Sequence, residues 1–209
     1  MNSNTTKIIE INNIIKYYGK NKVLDIDSFV FYKSYFYLLI GENGAGKSTL
    51  IKIITGLVKP TKGSILVLSK LISYVPERFS FPLNIKVYDF LDNLCRVRIN
   101  INRKDKIEAL LNEWKIDKNK LIGELSKGMK QKLLIMQAII EDVDLYIFDE
   151  PLNGLDPSSQ AFFLNTLKRL KDLGKTVLLC THYDKYYNDI FDYALYFNGG
   201  IINEIIKLN

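Results

Sequence analysis

"YFYLLIGENGAGKSTLIKIITGL", residues 35–57, decides the fold of this 209-residue chain. Its first six residues are apolar in character, which predicts a strand that is buried on both faces. A glycine-rich loop follows, and it fits the pattern G-x-x-x-x-G-K-[ST] that opens a helix. The stretch therefore predicts a strand, a loop and a helix at the centre of an α/β fold.

The residue types of this loop suit the binding of a nucleotide triphosphate. Gly44 and Gly46 let the backbone N–H groups and the helix N-terminus face the phosphates. Lys47 supplies a cation for the β- and γ-phosphates, and the hydroxyl of Ser48 is a candidate ligand for Mg²⁺. The predicted ATP-binding residues of the loop are Asn43, Gly44, Ala45, Gly46, Lys47, Ser48 and Thr49.

A second stretch, "LYIFDEP" at 145–151, supplies the acids that such a site requires. An acid at the end of a buried strand beside the loop can hold Mg²⁺ through water, and Asp149 has this position. Glu150 lies one residue further along, where a carboxylate can orient or deprotonate the attacking water. We therefore predict Asp149 as a metal-site residue and Glu150 as a catalytic residue.

The remaining patterns place an insertion of helices within an α/β chain. The predicted strands are 7–18, 23–32, 35–40, 65–68, 72–75, 145–148, 176–181, 194–197 and 201–206. The predicted helices are 50–57, 84–97, 103–114 and 157–173. Asn102 resembles the cap of the third helix, and Asp156 is the predicted cap of the fourth, which Pro157 begins.

Composition excludes several classes of protein and leaves the charge open to interpretation. No apolar run is long enough to span a bilayer, no secretion signal is present, and a soluble cytoplasmic protein is expected. Cys95 and Cys180 are expected to be reduced thiols in the core. The net charge of +6 equals the excess in residues 96–132, which have eleven Lys and Arg against five Asp and Glu. A solvated helical face is the preferred explanation, followed by acidic lipid headgroups or a charged partner, and then by nucleic acid.

Together these motifs resemble the nucleotide-binding subunit of an ATP-binding-cassette (ABC) transporter over nearly the whole chain. "LSKGM" (125–129) resembles the family's signature stretch, usually written LSGGQ, and "NGLD" (153–156) resembles its D-loop. Thr181-His182 resembles the family's switch histidine. The resemblance implies a P-loop NTPase core, with a mixed, mostly parallel sheet and an N-terminal antiparallel β subdomain. It implies one domain over 1–209, in which 1–82 and 143–209 form the core and about 83–142 form the inserted helical subdomain.

The resemblance also implies roles for individual residues. Two subunits would lie head to tail around two ATP molecules, so that Ser126 and Gly128 bind the γ-phosphate held by the partner copy's Lys47. His182 would contact the γ-phosphate, and Asp156 would belong to the D-loop. The family places an aromatic ring against adenine. Tyr18 with Val23 is the preferred match for that ring, and Tyr17 is the alternative.

Three positions depart from the family pattern. Glu77, in "YVPERF", stands where many members have Gln, and its carboxylate is a further candidate for the Mg²⁺ site. Lys127 replaces the first glycine of the signature, and Met129 replaces its Gln. Glu77 and "SKGMKQ" resemble the drug- and bacteriocin-export branch.

The expected function is an ATP-hydrolysing subunit that drives separately encoded membrane subunits, with export as the expected direction. The working pair is a homodimer or a heterodimer, held to the inner face of the membrane through its partners. Phe79, Phe81 and Pro82 either line the groove that receives the membrane subunit or pack against the helical lobe. No regulatory domain is expected after the last strand, which disfavours the long sugar-importer subunits. The alternative function is a soluble ABC-type ATPase that acts in assembly or on nucleic acid.

Overall fold

The computed structural model describes residues 6–98, 103–182 and 186–208. Within these ranges the chain divides into two compact units. The first unit draws on Met1–Tyr74, Val143–Glu150 and Thr166–Asn209, and the second on Val75–Asp142 and Pro151–Asn165. The second unit begins before residue 83 and also includes 151–165. Whether 83–142 works as a signature-bearing subdomain stays a prediction.

The described strands form two sheets. The strands are β1 (Lys7–Tyr18), β2 (Asn21–Ile26), β3 (Phe29–Tyr32), β4 (Phe36–Ile40), β5 (Lys62–Val67), β6 (Ile72–Val75), β7 (Leu145–Asp149), β8 (Thr176–Thr181), β9 (Tyr193–Asn198) and β10 (Ile201–Lys207). In the four-stranded sheet, β1 pairs antiparallel with β2, β3 and β5. The six-stranded sheet has the order β10-β9-β4-β8-β7-β6. Its inner pairs, β9–β4, β4–β8 and β8–β7, are parallel, and β10 is antiparallel to β9. The predicted fold class is therefore confirmed.

The central strands follow directly from their sequences. Every residue of β4, β7 and β8 is buried. A strand that is covered on both faces must be apolar at successive positions, and these three runs have that composition. The parallel register places Ile40 opposite Thr181 and Asp149 opposite Cys180, so the carboxyl ends of three strands meet at one edge.

The prediction of one strand over 23–32 is wrong. The run is divided at Asp27 and Ser28 into β2 and β3, and these pair with successive halves of the long β1. β1 bends at the point of division, where Asn13 has a left-handed φ of 47°. Asn tolerates this conformation better than most residues do, so the bend is compatible with its side chain.

Two other boundaries also differ from prediction. β5 begins at Lys62 instead of 65, and its residue Gly63, which has a positive φ of 77°, lies against the carbonyl of Asn13. The first helix of the inserted region begins at Val87 instead of 84. The three residues before it extend towards 121–123, with a bridge between Lys86 and Leu121 and a bond from Ile122 N to Ile85 O of 3.0 Å.

The described helices are α1 (Lys47–Ile54), α2 (Val87–Arg98), α3 (Arg103–Glu113), α4 (Lys127–Ile139) and α5 (Pro157–Asp172), with a 3₁₀ turn at Ile122–Glu124. Asp156 caps α5, since the Ser159 amide donates to its carboxylate at 3.0 Å. α5 stops beside Gly174, which has a positive φ of 66°. Asn102, the predicted cap of α3, lies outside the described residues. No helix in the described ranges combines the length and hydropathy of a membrane span.

The core of the first unit lies between the four-stranded sheet, α1 and the larger sheet. It includes Ile8, Ile11, Ile14, Leu24, Phe31, Leu39, Leu50, Ile54, Ile147, Leu178 and Leu195. Cys95 and Cys180 are both buried and form no disulfide, as predicted. The core therefore fixes β4, α1 and β8 relative to one another and positions the loop between β4 and α1.

Candidate nucleotide site

The two glycines of the 41–46 loop are required for different reasons. Gly46, the N-cap of α1, has a positive φ of 100°, and a Cβ there would lie 2.9 Å from both Leu24 Cδ1 and Val23 O. Gly44 also has a positive φ, of 83°, but a Cβ there would point into open space. Only glycine adopts such backbone at low cost. Gly46 therefore lets the loop pack closely against β2, and Gly44 provides a positive φ on the side of the loop that faces open space.

Lys47 holds its ammonium group within the loop. The side chain is buried, and Nζ donates to the carbonyl oxygens of Gly41 and of Glu42, the latter at 3.1 Å. These carbonyl groups neutralise no charge, so the cation keeps its attraction for an anion. Ser48 and Thr49 follow in the first turn of α1 and are half-buried. Ala45 is buried, and Asn43 is exposed at the loop's tip.

The two acids at the end of β7 lie in a buried environment. Asp149 is 3% exposed and Glu150 is 7% exposed. Glu150 has a left-handed φ of 51°, and its amide donates to the Cys180 carbonyl at 3.0 Å. A non-glycine residue in this conformation costs about 1–3 kcal/mol, and such residues cluster at active sites.

His182 connects Glu150 to the loop. Its Nε2 lies 3.1 Å from Glu150 Oε1, and its Nδ1 lies 3.2 Å from the carbonyl oxygen of Gly41. That same carbonyl accepts from Lys47. The structure thus brings four sequence-predicted elements, the loop's first residue, its lysine, the acid and the histidine, into one polar cluster. A cavity of about 480 Å³, lined by Ile40, Gly41, Glu42, Asn43 and His182, opens beside it.

The predicted adenine contact lies on the β1–β2 hairpin of the same unit. The side chain of Tyr18 is 47% exposed, and Lys16 Nζ lies 5.1 Å from the centre of its ring. Lys16 also donates to the carbonyl of Lys59 at 2.8 Å. Tyr17 is exposed as well. Val23 reaches the loop through its carbonyl oxygen, which lies against Gly46.

The signature and D-loop residues belong to the second unit. Ser126 is the N-cap of α4, and its hydroxyl accepts from the Met129 amide at 3.2 Å. A Cβ at Gly128 would lie 2.7 Å from the carbonyl oxygen of Gly154, so this position admits only glycine. Glu77 belongs to this unit too, and its carboxylate lies 3.9 Å from Arg78 Nε.

The residues present fit a magnesium ion. Mg²⁺ in phosphate-transfer sites is held by one or two protein oxygens, with the remaining positions filled by phosphate and water. Asp149 provides a buried carboxylate, and Ser48 provides a hydroxyl at the start of α1. Among the described residues no group of three or more His, Cys, Asp or Glu side chains forms a complete protein cage. A shared protein–phosphate site is the arrangement that this donor set suits.

Sequence reasoning missed two supporting residues. Gly200 is one of them: its amide donates to Ala45 O at 3.2 Å, and a Cβ there would lie 2.7 Å from Val23 O. The paired glycines of "NGG" (198–200) are the signal in the sequence that could have identified it. The other is Tyr187, whose ring is fully buried. Burial and the negative charge of Glu150 raise the pKa of Tyr187, and no pattern in the sequence indicates this.

Comparisons with known proteins agree with this geometry. The family model described as ABC transporter matches residues 24–153. The zinc import ATP-binding protein ZnuC of Rickettsia conorii is 37% identical over 213 residues, which cover 95% of this chain and 88% of the relative.

Two solved structures resemble the fold. An ATP-binding subunit of an ABC transporter superposes with a TM-score of 0.88 at 28% identity, covering 96% of this chain and 90% of the other. A dimeric ATP-binding cassette in a post-hydrolysis state, bound to ADP and Pi, has a TM-score of 0.84 over 97% of this chain and 99% of its own. Its identity of 22% supports a shared fold alone. The chain belongs to the ABC transporter family, in which it is an ATP-binding and ATP-hydrolysing subunit.

Proposed function

We propose that two copies of this chain, or this chain and a close relative, clasp MgATP between them and hydrolyse it to drive separately encoded membrane subunits. The observation that carries the proposal is the cluster of Lys47, Glu150 and His182 around the carbonyl of Gly41. It combines a cation for the phosphates, a base for water and a group that holds the base in place.

Phosphate binding is assigned to the loop and α1. The backbone N–H groups at the start of α1 and the Lys47 ammonium face negative charge, which favours a triphosphate. Ser48 and Asp149 would hold Mg²⁺, which when bound supplies positive charge to the β- and γ-phosphates. Glu77 is a third candidate for this site, and its approach to the metal stays a prediction.

Hydrolysis is assigned to Glu150 with His182. The carboxylate of Glu150 is almost fully buried and lies one residue after the end of β7. It would accept the proton of the attacking water as the water's oxygen bonds to the γ-phosphorus and the bond from that phosphorus to the β–γ bridging oxygen breaks, which releases ADP. His182 contacts Oε1 of Glu150 and would orient the carboxylate. A contact from His182 to the γ-phosphate is part of the same proposal.

The second half of the site would come from another copy. Ser126 and Gly128 stand at the start of α4, where the free amides of a helix N-terminus favour an anion. A single nucleotide needs only one phosphate loop, so a second phosphate-binding turn in the same chain suits a second nucleotide. A solved cassette of the same fold is dimeric, which is compatible with a working pair of copies. Lys127 and Met129 replace the first Gly and the Gln of the family's signature, so the side chains at this proposed contact would differ from the family pattern.

Adenine is assigned to Tyr18. Lys16 lies over one face of its ring, and the ring's exposure leaves surface for a base to stack on. Val23, beside the loop, is the proposed second contact. Tyr17 remains the alternative, and a comparison of the two variants decides between them.

Contact with the membrane subunit is assigned to the segment after Glu77. Phe81 packs edge-to-face on Phe90 of α2 with ring centres 5.5 Å apart, and it also contacts Phe79. Phe79 is 46% exposed and is available to a partner, whereas Phe81 forms part of the helical unit. The complex would lie at the cytoplasmic face of the membrane. We propose import as its direction, because the relative at 37% identity is a zinc import protein. Export, expected from Glu77 and "SKGMKQ", stays the competing prediction.

Light scattering after size exclusion tests the dimer. Glu150→Gln should elute as a dimer in MgATP and as a monomer in MgADP, since MgADP lacks the γ-phosphate that Ser126 and Gly128 of the other copy would bind. Adding Ser126→Arg should return the protein to a monomer in MgATP. A Glu150→Gln protein that stays monomeric at saturating MgATP would contradict the proposal. Co-purification of a membrane protein would support transport, and a soluble assembly partner would favour the alternative.

A further inference from the structure

The start of α4 and the loop 151–156 pack against each other within the second unit through backbone, side-chain and polar contacts. Their backbones touch where Gly128 approaches the carbonyl oxygen of Gly154. The stem of Lys127 lies along Gly154, with its carbons 3.7–3.8 Å from the Cβ position there. A Cβ would not fit at Gly128, and Gly154 has a positive φ of 82° that side chains rarely adopt, so both positions favour glycine.

Two polar contacts fasten the same elements one turn further along α4. Gln131 Nε2 donates to the carbonyl oxygen of Pro151 at 3.2 Å. Lys132 Nζ lies 3.5 Å from Asp156 Oδ2. The two contacts lie at opposite ends of the loop, so together they restrain it more than either would alone.

The loop is in turn rigidly joined to α5. Asp156 accepts from the Ser158 hydroxyl at 2.5 Å, the Ser159 hydroxyl at 2.7 Å and the Ser159 amide at 3.0 Å. The amide of Leu155 donates to Leu152 O at 3.1 Å, which closes a turn inside the loop. Displacement of the loop would therefore disturb several bonds at once.

We propose that Gln131 and Lys132 are positioning residues that fasten the signature turn to the 151–156 loop, so that Ser126 and Asp156 reach the partner copy's nucleotide as one element. This inference rests on the proposed function for its purpose. The contacts that fasten the two elements lie within one copy, so they do not depend on the proposed dimer. A substitution in either element should therefore change the hydrogen exchange of the other, since coupling between two sites is reciprocal.

Hydrogen exchange in the isolated chain without nucleotide tests the fastening. In Gln131→Ala/Lys132→Met, amides of 152–156 should exchange about fivefold faster, the loss expected for one hydrogen bond and one exposed ion pair. Asp156→Asn should accelerate the amides of Met129 and Lys130 in the same way. Lys130→Met is the matched control and should change neither segment, since among the described residues the side chain of this neighbouring lysine forms no hydrogen bond or ion pair with the loop. Lys132→Arg, in place of Met, should restore most of the protection.

Two results would overturn the proposal. One is unchanged exchange of 152–156 in the double variant, or a change equal to that of Lys130→Met. The other is faster exchange in β8 as well, because this would reveal a general loss of stability. Far-ultraviolet circular dichroism would check that each variant is folded.

The effect of the same substitutions on the MgATP-dependent dimer is measured separately. In the Glu150→Gln background, Gln131→Ala/Lys132→Met should weaken the MgATP-dependent dimer about tenfold, since a symmetric dimer contains the fastening twice. Affinity of a single copy for MgATP should not change. If the Glu150→Gln parent dimerises and the added changes have no effect, the positioning role is refuted. If the parent fails to dimerise, the proposed function fails, and the exchange result alone decides whether the fastening exists.

Discussion

The imidazole of His182 and the carboxylate of Glu150 face each other, with Nε2 3.1 Å from Oε1. A carboxylate that is almost fully buried needs polar neighbours to hold it, and the ring provides one. The opposite ring nitrogen faces the carbonyl oxygen of Gly41, the first residue of the phosphate loop. The position of the proposed base is therefore tied to the loop that would hold the nucleotide.

Replacement of Glu150 by Gln should slow turnover severely. Gln keeps the shape of the side chain but cannot accept the water's proton, and general-base catalysis contributes about 10²–10⁴-fold. Steady-state phosphate release should fall by this factor, while retention of labelled ATP after gel filtration should rise. Glu204→Gln, an exposed change on β10, is the matched control and should keep normal turnover. Turnover within twofold of the parent would exclude Glu150 as the base.

Replacement of His182 by Ala should separate catalysis from binding. Loss of the ring removes the 3.1 Å contact between His182 and Glu150, and we expect kcat to fall by about 10²-fold or more. Lys47 and the backbone of α1 are untouched, so equilibrium binding of MgATP should change little. A filter-binding Kd measured beside kcat gives both values. A large rise in Kd with an unchanged kcat would assign His182 to binding instead.

The two neighbouring tyrosines can be distinguished by a pair of substitutions. Tyr18→Ala should weaken ATP binding about tenfold, within the range measured for the stacking of a base on an aromatic ring. Inorganic tripolyphosphate lacks a base, so its affinity should not change. Tyr17→Ala should leave both affinities near those of the parent. The reverse pattern would move the adenine contact to Tyr17.

Asp156 should stabilise the fold in a way that depends on pH. Hydrogen bonds from the Ser158 hydroxyl, and then from the Ser159 hydroxyl and amide, lower the pKa of Asp156 below its ordinary value. The contribution is complete above the unfolded pKa of about 3.9 and is lost as the pH falls through the lower folded pKa. Asp156→Ala should therefore lower the thermal midpoint at pH 7, and the difference from the parent should shrink below about pH 4. Asp189→Ala, at an exposed site, is the control, and a difference that grows in acid would contradict this prediction.

Local patterns predicted the parts of the fold that local physics dictates. β8 has its predicted bounds, and β4 and β7 each differ by one residue at one end. Their composition alone requires burial on both faces. The shape of the 41–46 loop also follows from its own residues, because Gly46 has the positive φ that the turn into α1 requires. Asp156 and Pro157 likewise indicate where α5 begins.

Contacts between distant residues are what the sequence could not supply. The division of 23–32 depends on the length of β1, which offers one half to β2 and the other to β3. The support that Gly200 gives to Ala45 joins positions far apart in the chain. The bonds of Gln131 and Lys132 to the 151–156 loop are of the same kind. Such pairings are decided by tertiary packing, and a single sequence does not record them.

The central claim is that one nucleotide is held from opposite sides by two copies, and a disulfide test is its most direct measurement. Cys95 and Cys180 are buried, so introduced thiols can be read above a low background. Two Glu150→Gln proteins, one with Ser126→Cys and one with Glu42→Cys beside the phosphate loop, would be mixed under mild oxidation. A crosslinked pair that contains one copy of each protein should form in MgATP and be absent in MgADP. The absence of this mixed crosslink at saturating MgATP, or its equal formation without nucleotide, would rule out a nucleotide held between two copies.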